Sequence, residues 1–372
     1  LVETEGHPEM VQFSGGEPSI HPEIVPMLRA AKARGIPHVV LNTNGRRIAH
    51  DDAFLAELAE LRPSIYFQFD GFDAETSRAI RGEADLLPEK LRALDRLAAI
   101  GCDVVLVPAI ERGVNEHEVG RIVRFGLAHP AVRGINFQPA FHAGRFGQHD
   151  PLRRMTNPDV IRLIEAQTDG LFHADDFVPI PCCFPSCNSV TYAYVEGSTV
   201  LPLPRVLEVD TYLDYLANRA LPEPLTAVKA ALEGLWSSAA APGSEQVLRH
   251  FARTCAACGL VDGGVAEDSA TQAGQALRAL TERVFMVMLQ DFMDPWTFNQ
   301  KNVMKCCKEI LLPDGKQIPF CAYNSVGYRE QARVQLAARQ RARVRSRRAG
   351  MPFDPPPLHF SFGPPGSNRE AR

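Results

Sequence analysis

MVQFSGGEP, residues 10–18, is the stretch on which the fold turns. A run of strand-forming residues at 10–14 stops at two consecutive glycines, Gly15 and Gly16, followed by Glu17 and Pro18. Paired glycines let a backbone bend sharply and come close to a ligand. From His21 to Arg34 the chain then carries Ile24, Leu28 and Ala31 on one face and stops at Gly35, which is the pattern of an amphipathic helix with its terminator. Strand, glycine turn and helix together make one βα unit.

Moving outward, the unit repeats. HVVLN (38–42) reads as a strand and DDAFLAELAEL (51–61) as a helix. SIYFQFD (64–70) is the next strand, 88–100 a helix before Gly101, and DVVLVPAI (103–110) a fourth strand. Glu116 to His129 is helical, and GINFQPA (134–140) is the fifth strand. Strand–helix alternation without hairpin signals predicts right-handed crossovers and a parallel sheet. Near-continuous apolar strands fit a sheet covered on both faces. The fold class is α/β, either a doubly wound sheet or a barrel. Both bind ligands beyond the carboxyl ends of the strands, which selects Ser14–Pro18, Asn42–Gly45, Asp70-Gly71, Arg81-Gly82 and Gln138-Pro139. Taken one at a time, turn formation and capping also account for these residues.

After about residue 150 the pattern changes to prolines, paired cysteines and irregular segments. Residues 211–235 and 272–292 read as helices, with Phe285, Met286 and Met288 as core positions of the second. This gives a first domain at 1–150 and a cysteine-bearing domain at 151–330. A tail at 331–372 follows, arginine-rich and then rich in proline and glycine, which reads as disordered. The arginine run is a solvated face or an attraction to anionic lipid.

Forty basic and 44 acidic side chains leave a net charge of -4 in 372 residues, so no global field draws nucleic acid. No apolar run is long enough to span a bilayer and no secretory signal is visible. Eight of the nine cysteines lie between Cys182 and Cys321. Clustered thiols in a long chain favour metal over disulfide and point to the cytoplasm. Cys102, beginning a strand, reads as buried filler, and His142 and His149 as surface residues. The metal candidates are Cys182, Cys183, Cys187, Cys255-Ala-Ala-Cys258-Gly, Cys306, Cys307 and Cys321. A Cys-x-x-Cys-Gly turn points two thiolates at one metal. Iron and zinc both accept four thiolates, so the metal and the pairing stay open.

The set formed by SGGEP after a strand, Thr43-Asn44-Gly45, a strand ending in Asp70-Gly71, Arg81-Gly82, Gly113-Val114-Asn115 and Gln138-Pro139 resembles the radical S-adenosylmethionine superfamily over residues 10–145. The resemblance implies that Ser14, Gly15, Gly16 and Glu17 hold the methionyl end of S-adenosylmethionine, the two glycines and Glu17 meeting its amino group. It implies that Asn42, Asp70 and Gln138 contact its ribose, carboxylate or adenine. It also implies a partial (β/α)6 barrel and four-iron four-sulfur clusters. Superfamily members carry Cys-x-x-x-Cys-x-x-Cys upstream of the glycine motif, and no cysteine lies among the thirteen residues before Ser14. The expectation is a chain lacking its first unit, with the cluster motif and a sixth strand upstream of Leu1, and therefore inactive by itself.

Phe292-Met293-Asp294-Pro295-Trp296, Lys305-Cys306-Cys307 and Ile318 to Asn324 resemble the group that contains archaeal tetraether lipid synthase and proteins named pterin methyltransferases. That resemblance implies a cysteine-rich auxiliary-cluster domain and an electron donor such as ferredoxin or flavodoxin. Lipid-chain coupling at an unactivated carbon is the expected activity, with peripheral membrane contact. Methyl transfer to a pterin-like small molecule, or a non-catalytic zinc or iron–sulfur protein, is the alternative.

Overall fold

The computed structural model describes residues 1–143, 150–180, 184–205, 283–353, 355 and 357–360. They form two compact units, each assembled from separate stretches of chain. The larger takes residues 7–140 and 154–291, and the smaller takes 1–6, 141–153 and 292–372.

The larger unit is built on one ten-stranded sheet. Its strands are β1 (Met10–Phe13), β2 (His38–Thr43), β3 (Ser64–Gln68), β4 (Val104–Val107), β5 (Ala109–Ile110), β6 (Val132–Pro139), β7 (Val178–Pro179), β8 (Asn188–Glu196), β9 (Thr199–Pro202) and β10 (Val284–Gln290). The order is β1-β2-β3-β4-β6-β10-β8-β7, with β5 beside β6 and β9 beside β8. From β1 to β10 every neighbour is parallel. β8 then runs antiparallel to β10, and β7 and β9 antiparallel to β8. The parallel strands follow chain order with no reversal, so the sheet has no doubly wound switch point.

The crossover helices form where an apolar stripe meets a start and a stop. α1 (Ile24–Ala33) buries Ile24, Leu28 and Ala31. After the short α2 (Arg46–His50), α3 (Asp52–Leu61) starts at Asp51, whose carboxylate accepts the Phe54 N–H at 2.9 Å. It buries Phe54, Leu58 and Leu61. α4 (Ala74–Arg81) is followed by α5 (Leu87–Ala99), which has Pro88 in its first turn and buries Ala93, Leu94 and Leu97. α6 (Val119–Ala128) buries Val119, Ile122 and Val123, and α7 (Asn157–Gln167) opens on a Thr156–Asp159 capping box.

One expectation changes here. Residues 284–290 form β10 rather than part of a helix. VFMVMLQ is a seven-residue apolar run, and such a run has no period to tell buried strand from buried helix. Flanked by β6 and β8, it is the sixth strand along the main parallel run of the sheet, reached from far along the chain. The helix read at 211–235 lies outside the described residues.

In the smaller unit β11 (Glu309–Leu311) and β12 (Gln317–Pro319) form a hairpin, followed by α8 (Phe320–Ser325) and the long α9 (Tyr328–Arg348). Phe292, Leu312, Cys321, Tyr328 and Leu358 share its core. The arginine run is therefore helical up to Arg348. Leu358, in the segment read as disordered, is fully buried. No helix among the described residues is long and apolar enough to cross a membrane.

Candidate functional site

Parallel strands place their carboxyl ends along one edge, and the sequence candidates of the larger unit gather there. Ser14 to Glu17 follow β1, Asn42 and Thr43 end β2, Asp70 follows β3, and Gln138 lies at the end of β6. The first two groups are joined. Glu17 Oε1 accepts the Ser19 N–H at 3.0 Å and the Thr43 hydroxyl at 2.7 Å, while Oε2 accepts the Asn44 N–H at 2.7 Å. Asn42 Nδ2 donates to Ser14 Oγ at 3.3 Å. A Cβ built on Gly15 or Gly16 would meet no atom within 4 Å. The paired glycines thus border open space rather than protein. Gly15 also has a φ of 136°, which disfavours any other residue.

Asp70 is buried and its carboxylate is committed. Arg81 Nε donates to Oδ2 at 2.7 Å and its NH2 to Oδ1 at 2.8 Å, and the Ala109 N–H reaches Oδ1 at 2.9 Å. The Asn115 amide holds the Asp70 and Ala109 carbonyls, each at 2.8 Å. Gln138 pairs in register with Ala109, the residue whose N–H Asp70 accepts. Lys90 sits beside this knot, donating to the Gln68 carbonyl at 2.6 Å. Burial lowers its pKa to about 8, against the opposing pull of Asp70.

A row of register partners crosses the sheet: Asn42, Tyr66, Val105, Gly134, Met286 and Tyr192. Register partners project to the same face, as do residues two apart on a strand. Gln68, Asn136 and Gln138 therefore share the face of this row, as do Met288 and Gln290. Burial raises the Tyr66 pKa and pushes Tyr192 up to about 12, with the nearby Tyr66 adding to the shift. Their strands are four steps apart, about 19 Å on a flat sheet at the usual ~4.8 Å spacing. That the two phenols influence each other points to a sheet curled with this face inward. Both residues are half-buried. Sequence reading missed Tyr66, Asn136, Tyr192 and Gln290. The alternation within SIYFQ and GINFQ carried the signal for the first two.

Of the metal candidates, Cys182, Cys255 and Cys258, together with Cys183, lie outside the described residues. Cys187 lies in the larger unit, where its carbonyl accepts the Asp291 N–H at 2.8 Å. In the smaller unit Cys306 Sγ donates to the Lys308 carbonyl at 3.1 Å, and buried Cys321 Sγ accepts the Met293 N–H at 3.3 Å. Cys307 is exposed. These three are not close enough to share a single ion. Among the described residues the one trio of ligand-type side chains close enough for an ion is Asp73, His117 and Glu118. Cys102 is buried, as expected.

The sequence profile described as the Radical SAM superfamily matches residues 2–126. The chain is 32% identical over 354 residues to the 7,8-dihydro-6-hydroxymethylpterin dimethyltransferase of Methanocaldococcus jannaschii, covering 86% of this chain and 67% of that protein. It is 33% identical over 145 residues to the GTP 3',8-cyclase of Chlorobaculum tepidum, covering 37% of this chain and 43% of the cyclase. A probable GTP 3',8-cyclase of Methanothermobacter thermautotrophicus is 31% identical over 126 residues, covering 34% of this chain and 40% of its own length. The chain thus spans less than half of each cyclase. The glycine loop at the carboxyl edge of a parallel sheet and the extended similarity to the dimethyltransferase agree: the chain belongs to the radical SAM superfamily, enzymes that use S-adenosylmethionine and four-iron four-sulfur clusters.

Proposed function

We propose that this protein is a radical enzyme that replaces a hydrogen on carbon of a pterin-like heterocycle with a methyl group taken from a second molecule of S-adenosylmethionine, an external reductant supplying the electrons. The observation that carries the reading is the polar set Tyr66, Asn136, Tyr192 and Gln290 on one face of the sheet, Asn136 and Gln290 among them buried. A heterocycle needs a short pocket with several hydrogen-bond partners, whereas an alkyl chain needs a long apolar one. The dimethyltransferase similarity over most of this chain supports the same substrate class. Lipid-chain coupling and membrane contact have no observation behind them.

The residues present fit S-adenosylmethionine. The space beside Gly15 and Gly16 admits a ligand against bare backbone, and the Glu17 carboxylate, fixed by three donors, lies next to it for an ammonium group. Ser14 and Asn42 extend this cradle toward the concave face. Asp70, engaged by Arg81 and Ala109, shapes the loop after β3 and orients the edge on which Gln138 stands. When bound, the cofactor and its reduced cluster supply one-electron chemistry that opens unactivated C–H bonds. An electron donor of the ferredoxin or flavodoxin kind feeds that step. Cys187, Cys306, Cys307 and Cys321 remain candidate ligands for auxiliary clusters, and no step is drawn through them. We read the curled sheet as a partial (β/α)6 barrel, which leaves the concave face to the substrate.

The test uses the full-length protein, reconstituted anaerobically with iron and sulfide and given S-adenosylmethionine, a low-potential reductant and 7,8-dihydro-6-hydroxymethylpterin. Mass spectrometry should show pterin heavier by one or more methylene units. Unchanged pterin, with newly joined lipid chains on expression of the complete gene, would overturn the proposal.

A further inference from the structure

Asn136 is fully buried in the middle of β6, where a side chain is normally apolar. Its Nδ2 donates to Gln290 Oε1 at 3.2 Å, and its Oδ1 has no hydrogen-bond partner. A buried amide oxygen without a donor is destabilising, so such atoms occur where something else supplies the donor. Its register neighbours offer none. Asn136 pairs in register with Met288, and Met288 with Val190, both apolar. Gln290, 5% exposed, keeps slight access at the carboxyl end of β10, and its amide nitrogen is free of the bond that its oxygen makes.

Two carboxamides that share a single hydrogen bond leave one oxygen and one nitrogen unbonded, and turning both amides together keeps that so. That pair is complementary to a lactam edge, where a ring N–H stands beside a C=O. We infer that Asn136 and Gln290 form a carboxamide clamp that recognises the lactam edge of the substrate heterocycle. The inference rests on the heterocycle reading above and adds the residues that choose the ring. Asn42, which joins the glycine loop, projects from the same face of the sheet, so a ring held by the clamp shares the concavity with the cofactor cradle.

The test uses the full-length reconstituted enzyme and two probes, 7,8-dihydro-6-hydroxymethylpterin and its N3-methyl derivative, which lacks the lactam N–H. The wild-type protein should bind the parent about ten- to a hundredfold more tightly, the usual effect of leaving buried polar groups unpaired. Asn136→Leu and Gln290→Met should erase most of that preference, with S-adenosylmethionine affinity in the same samples reporting an intact fold. Asn136→Asp keeps size and an acceptor, and should retain a preference for the parent. Wild-type protein that binds both probes equally, or Leu and Met variants that discriminate as the wild type does, would assign the orphan oxygen to a buried water and overturn the clamp alone. Wild-type protein that binds neither probe would overturn the heterocycle reading with it.

Discussion

Gly16 and Glu17 are neighbours in sequence, yet the structure separates the consequences of changing them. Gly16 has open space where a Cβ would go and no left-handed φ. Gly16→Ala should leave the thermal midpoint unchanged and weaken S-adenosylmethionine binding, as isothermal titration of the reconstituted protein would show. Glu17 does two things, because its carboxylate also ties the first loop to Thr43 and Asn44. Glu17→Ala should weaken cofactor binding by about 1.5–3 kcal/mol, the range for a charge-assisted contact, and lower the thermal midpoint too. An unchanged affinity would return Glu17 to a purely structural role. Lys90 supplies a pH signature. Its folded pKa of about 8 lies below the 10.5 of a free lysine, so between these values the unfolded chain holds a proton that the folded chain has released. Stability therefore rises with pH across that window, by on the order of 3 kcal/mol at ~1.4 kcal/mol per pKa unit. Denaturant midpoints of Lys90→Met should lack this rise; parallel pH curves for variant and wild type would contradict it.

Among the elements, those that carry their own punctuation were legible. α1, α3 and α5 each combine an apolar stripe with a stop or a cap within a few residues, and the strands before them alternate with loops. α4 was not legible. AETSRAIR has no apolar stripe, and its start is organised from a distance by buried Glu118, which accepts from the Phe72 N–H and the Thr76 hydroxyl. β10 was misread because its strand character depends on two partners remote in sequence. The glycine loop was visible because glycine pairs and carboxylates announce themselves, whereas the buried position of Asn136 shows only through strand parity. The β6–β10 pairing also imposes a requirement that only glycine meets. A Cβ on Gly134 would lie 2.7 Å from the Met286 carbonyl oxygen, and backbone cannot yield cheaply. Gly134→Ala should cost about 1–3 kcal/mol, as overpacking does, measured by chemical denaturation. A cost-free substitution would show that β10 does not lie against β6 as described.

At the scale of the whole molecule, the chain's change of grammar near residue 150 does not coincide with a change of packing. Strands β8, β9 and β10 come after it and complete the sheet begun at β1, while the smaller unit collects residues from both chain ends and from 141–153. Such threading makes the smaller unit dependent on a few long-range anchors. Leu358 is the clearest. It is fully buried in the core with Phe292, Cys321 and Tyr328, its N–H donates to Asp314 Oδ2 at 2.9 Å, and its carbonyl accepts from Lys316. The N-terminal turn, Val2–Glu5, is tied to the same hairpin by Thr4 to the Gly315 carbonyl at 3.3 Å and by Gln317 to Glu5 at 2.7 Å. Truncating a buried leucine typically costs about 2–5 kcal/mol, and that loss should fall on the unit that contains it. Leu358→Ala should therefore accelerate amide hydrogen exchange through β11, β12 and α8, and in Val2–Glu5, while β2, β3 and β6 keep wild-type protection. Exchange that accelerates equally in both units would mean that they unfold as one cooperative body.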